Sequence, residues 1–77
     1  MPQSPPPIEW YARVRLLTPA YPAYDGSLIE CLKRWDRLPP DLRAKSFIVA
    51  SEPVAGDELL KPSDLARLVA HPEYLTA

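Results

Sequence analysis

One cysteine, two glycines and one histidine among 77 residues leave little room for several kinds of chemistry. With Cys31 alone, no disulfide can form within the chain, so a secreted disulfide scaffold is excluded and a reducing compartment is the simpler reading. One Cys and one His cannot build a Cys/His zinc centre. Gly26 and Gly56 stand singly, so no glycine-rich loop can cradle a phosphate, and nucleotide-binding motifs are out on sequence as well as on length. No apolar run approaches the roughly 18–20 residues a membrane-spanning helix needs. The opening MPQSPPP has neither a positive nor an apolar region of a secretory signal, and a cytoplasmic protein is expected. An excess of one charge is missing too. Nine basic residues face ten acidic ones, for a net charge of −1, which is not the footprint of a dedicated nucleic-acid binder.

What the chain has in quantity is proline, 11 residues of it, on an otherwise ordinary globular composition of 47% hydrophobic and 25% charged residues. The length allows one domain. Four of the prolines fall in residues 1–7, which are expected to form a disordered Pro-rich arm; residues 8–77 are expected to form a single small domain.

Along that domain, residues 8–17 alternate: Ile8, Trp10, Ala12, Val14 and Leu16 fall on one face of a strand. Residues 18–26 carry Pro19, Pro22 and Asp25-Gly26, and this reads as a loop that presents Tyr21 and Tyr24. Residues 27–38 have the clearest helical signature. Ser27 and Glu30 have capping-box spacing, and Leu28, Cys31, Leu32 and Trp35 form the apolar stripe of an amphipathic helix. Glu30, Lys33, Arg34 and Arg37 take the wet face, and Pro39-Pro40 ends the helix. A short helical turn is expected over 39–45, and a strand buried on both faces over 46–51. A turn at Gly56-Asp57 leads to a short extended piece at 58–60. A second helix starts at Pro62 with Leu65, Leu68 and Val69 inward and ends at Pro72, followed by one turn that docks Tyr74 and Leu75.

The fold class that follows is α+β, a small α/β sandwich. Its order is β-α-β-(β)-α, with a two- or three-stranded sheet and two helices packed on one face. The first strand is expected at a sheet edge, which offers a route to a homodimer. The expected core is Trp10, Val14, Leu28, Leu32, Trp35, Phe47, Val49, Leu65 and Leu68.

Searching for chemistry returns no converging set. Cys31 lies on the apolar stripe and reads as a small core residue. His71 reads as a favourable group at a helix C-terminus. Glu52, Asp57, Glu58 and Asp64 read as a solvated acidic face. No enzyme activity, cofactor or metal is therefore expected. The positive signals are the Tyr/Pro loop and the basic helix face. They point to a non-catalytic protein-binding module such as an adaptor or a small inhibitor of a larger complex, of the kind phages and mobile elements encode. The candidate contact residues are Tyr21, Tyr24, Lys33, Arg34 and Arg37. The alternative is nucleic-acid binding through the basic face of helix 27–38, which the charge balance disfavours; no membrane partner is expected.

Overall fold

A computed structural model describes residues 8–76; the predicted arm over residues 1–7 lies outside the described residues. The chain runs β1 (Arg13–Thr18), β2 (Tyr21–Ser27), α1 (Leu28–Asp36), α2 (Pro40–Arg43), β3 (Phe47–Val49), β4 (Leu59–Leu60), α3 (Pro62–Val69) and α4 (Pro72–Leu75). The four strands form one sheet in the order β2-β1-β3-β4 with every pair antiparallel. Among the described residues no helix is long and apolar enough to cross a membrane.

The architecture is α+β as expected, but four strands replace the predicted two or three; of the four helices α1 and α3 are the two predicted ones, and α2 and α4 are single turns at the places where short turns were expected. The added strand is β2, where a loop was expected. Pro19-Ala20 turns the chain tightly, and Tyr21–Ser27 returns alongside β1 with Tyr24 opposite Leu16 and Asp25 opposite Arg15. Pro22 cannot donate to a sheet ladder, yet it is tolerated because β2 is an edge strand with one side unpaired. A register irregularity between Leu16 and Thr18 absorbs the remaining mismatch.

β2 also overturns the expected place of the first strand. β1 is flanked by β2 and, over Arg15–Leu17, by β3, so it is not the edge strand on which the expected route to a homodimer rested. β1 itself begins at Arg13 rather than at residue 8. The preceding segment makes a turn, with the Ala12 N–H donating to the Glu9 carbonyl, and then serves α1. The Trp10 and Ala12 carbonyls accept from the Ile29 and Leu28 N–H groups, which a helix start otherwise leaves without partners. The alternating burial expected of this segment survives the loss of strand geometry at Trp10, which is buried. Its indole donates to Glu73 at 3.0 Å and packs edge-on against His71 and at a tilt against Tyr74.

The core lies between the sheet and the layer formed by α1 and α3. Val14 and Leu16 of β1, Ile48 of β3 and Leu60 of β4 point into it, against Leu28, Cys31, Leu32 and Trp35 of α1 and Leu65 and Leu68 of α3. Two expected core residues are corrected. Phe47 is 37% exposed and Val49 only half-buried, because β3 is a central strand with one face uncovered and Ile48 is its inward residue. The tail docks through Tyr74, whereas Leu75 is exposed, contrary to the expectation that both pack.

Candidate functional site

Ser27 ends β2 and caps α1, so strand and helix join without a loop. The Ser27 hydroxyl accepts from the Glu30 N–H at 3.2 Å and donates to the Glu30 carboxylate at 3.0 Å. This junction holds the first turn of α1 over the inward side of β2. Tyr24, three residues before the cap, therefore lies beside the wet face of the helix rather than on a free loop. Its hydroxyl donates to the other oxygen of Glu30 at 3.1 Å, and the Arg34 guanidinium stacks 3.7 Å from its ring centroid. The Glu30 carboxyl is held below its usual range, first by the Ser27 hydroxyl and next by the Tyr24 hydroxyl. A carboxylate kept ionised in this way keeps accepting both bonds.

The space between the hairpin end and the second half of α1 is an open groove of about 490 Å³. All five residues singled out in the sequence, Tyr21, Tyr24, Lys33, Arg34 and Arg37, line it. Tyr21 is 58% exposed at the rim. The ion pairs of the described residues are Arg15 with Asp25, Arg43 with Asp36 and Arg67 with Asp64, which leaves Lys33, Arg34 and Arg37 without an acidic partner. Glu30 is the one acidic side chain in the lining, and Tyr24 and Ser27 already engage it. The groove is thus cationic and partly aromatic, in a chain whose net charge is −1.

The Tyr24–Arg34 contact and the role of Glu30 as anchor of the tyrosine were not legible in the sequence. Both depend on residues 21–27 forming a strand, and the prolines and Asp25-Gly26 read instead as breakers.

Gly26 explains how closely the ring seats. A Cβ at Gly26 would fall 2.8 Å from Cε1 and 3.2 Å from Cζ of Tyr24. Gly26→Ala is expected to push the ring aside at a stability cost of about 1 kcal/mol, since the far end of a side chain yields more easily than backbone. The checking measurement is the ring-current shift of the Arg34 side-chain protons, which should collapse towards random-coil values. Unchanged shifts in a folded Gly26→Ala variant would mean that the stack is not as described.

The remaining candidates are placed elsewhere. Cys31 is fully buried, with its sulfur 3.9 Å from the carbonyls of Val14 and Tyr24. His71 follows the C-cap of α3, as expected, with its N–H donating to the Leu68 carbonyl at 3.1 Å, and it also caps the start of α4: its Nδ1 accepts from the Glu73 N–H at 3.1 Å, and its ring packs on Trp10. Cys31 and His71 thus have different neighbours and do not form a pair. In the acidic loop, the Asp57 carboxylate accepts from the Glu58 and Leu59 N–H groups, while Asp64 accepts from the Lys61 N–H and pairs with Arg67. Among the described residues no three His, Cys, Asp or Glu side chains come together as metal ligands do.

Comparison with protein-family models finds no match, and comparisons with curated protein sequences and with solved structures find none either.

Proposed function

We propose that the chain is a non-catalytic protein-binding module, an adaptor or small inhibitor of a larger complex, and that the groove between β2 and α1 takes an acidic segment of its partner. The observation that carries this reading is the gathering of Lys33, Arg34 and Arg37, none of them paired with an acid among the described residues, around Tyr21 and Tyr24 on one concave surface. Tyr and Arg dominate binding hot spots because they bring large contact area and directional donors at low entropic cost. Uncompensated cations at a rim speed the encounter with an acidic partner and disfavour a basic one. Nucleic acid on the same helix face has weaker support. Binding of single strands relies on open rings on which successive bases stack. Here Tyr21 at the rim is open, but the Tyr24 face is covered by Arg34 and Trp35 is buried, so the groove offers no second platform beside Tyr21 for a successive base.

Selection of peptides from a random displayed library against the full chain tests the reading. Enriched peptides should be rich in Asp and Glu. The triple variant Lys33→Ala/Arg34→Ala/Arg37→Ala should bind them at least about tenfold more weakly while staying folded, with a stability loss of about 1 kcal/mol from the Tyr24–Arg34 stack. No enrichment, or equal binding by the triple variant, would remove the groove as the docking site. Binding of DNA or RNA that weakens steeply with salt would favour the nucleic-acid alternative.

A further inference from the structure

The sheet has a second face, and it is not built for water. Antiparallel sheets with one solvated face usually alternate apolar-in and polar-out. β1 begins that way, with Arg13 and Arg15 outward, but ends with Leu17 outward. Leu17 pairs across to Phe47, Arg15 to Val49 and Val49 to Leu59, and directly paired residues point to the same face. Leu17, Phe47, Val49 and Leu59 therefore form one contiguous apolar patch, in which Phe47 is 37% and Leu59 39% exposed. α1 and α3 both pack on the opposite face, against Val14, Leu16, Ile48 and Leu60. The charged residues lining the two clefts on the uncovered side are Arg13, Arg15, Lys45 and Lys61 against a single acid, Asp25, which Arg15 already engages at 2.7 Å.

We propose that this uncovered face is a second docking surface, separate from the groove, and that it receives an amphipathic helix of a partner protein with an apolar stripe flanked by acidic residues. Chemistry selects this occupant. An element lying across the face of a sheet finds no ladder groups there, so it must satisfy its own backbone hydrogen bonds, as a helix does. The apolar patch requires an apolar stripe, and Arg13, Lys45 and Lys61 at its two ends, which form no ion pair among the described residues, require acids beside that stripe. A second copy of this chain meets the apolar requirement but not the electrostatic one, because stacking two such faces sets cations against cations. Residues 1–7 contain no acidic side chain, so they do not supply the charge. With the groove on the helix side of the sheet and this patch on the other, one small domain would bridge two segments, which is the work of an adaptor.

The test uses the full chain and two synthetic 18-residue helical peptides with the same leucine stripe, one flanked by Glu and the other by Lys, followed by fluorescence anisotropy. The Glu-flanked peptide should bind at least about tenfold more tightly than its Lys-flanked twin. Phe47→Ser should weaken that binding at least about tenfold. Lys45→Glu/Lys61→Glu, which leaves the apolar patch intact and guards against a folding defect at Phe47, should do the same. The groove triple variant should bind this peptide as the wild type does. Equal affinity for the two peptides would overturn the proposal. So would a loss confined to the groove triple variant, which would place the peptide in the groove and leave the function proposed above standing. Self-association of the wild type that Phe47→Ser abolishes would assign the face to a second copy instead.

Discussion

Trp35→Ala is expected to destabilise the domain by about 3–5 kcal/mol, the range for truncating a buried aromatic side chain. For a chain of this length that is most of the folding free energy, so the variant should be largely unfolded at room temperature or melt far below the wild type. The reason lies in what one side chain connects. Trp35 is 5% exposed at the last turn of α1 and packs in the core between sheet and helices. Its indole N–H donates to the Arg43 carbonyl at 3.1 Å, tying α1 to α2, and the Arg43 guanidinium lies 5.9 Å from the ring. Trp35→Phe keeps most of the ring and loses that hydrogen bond, so it should cost roughly 1–2 kcal/mol. Urea titration of the two variants separates packing from hydrogen bonding. A Trp35→Ala protein that unfolds like the wild type would mean that the register of α1 is wrong, and with it the placement of Lys33, Arg34 and Arg37 along the groove.

The second large effect concerns Cys31. Burial, with a smaller contribution from the nearby charge of Glu30, pushes its thiol pKa up to about 11. Near neutral pH this leaves on the order of a hundredfold less thiolate than an ordinary cysteine has, before the barrier to reagent access is counted. Iodoacetamide should therefore modify the native protein at least about a hundredfold more slowly than a free thiol, and at the ordinary rate once urea has unfolded it. Because the folded state holds the thiol proton more tightly than the unfolded chain does, its contribution to stability is fully present below the ordinary thiol value of 9.0 and is lost as pH rises through about 11. The urea midpoint should fall between pH 8.5 and 10.5, by less in Cys31→Ala. Rapid labelling of the native protein would contradict the buried position.

The two main helices were legible because their signals are local. Ser27 with Glu30, the stripe from Leu28 to Trp35, and Pro62 ahead of Leu65 and Leu68 each declare themselves within one or two turns. The sheet was less legible because its strands depend on partners far along the chain. Residues 21–27 contain two breaker signals, and only their position at the sheet edge makes Pro22 acceptable. Phe47-Ile48-Val49 is apolar throughout, so the sequence does not say which face is inward; the pairing of Ile48 with Leu16 and Leu60 decides it. The candidate site divides in the same way. The cations of α1 follow from helical periodicity. Their meeting with Tyr24, and the anchoring of Tyr24 by Glu30, required the hairpin.

The central claim, that the chain works by holding a partner protein in the groove, is tested most directly by quantitative affinity purification from lysate of the source organism, comparing the tagged wild type with the tagged Lys33→Ala/Arg34→Ala/Arg37→Ala variant. The expected result is a protein recovered in stoichiometric amount with the wild type, resistant to nuclease, and depleted at least about tenfold with the variant although the variant stays folded. The same protein recovered equally with both, or nucleic acid recovered in its place, would contradict it.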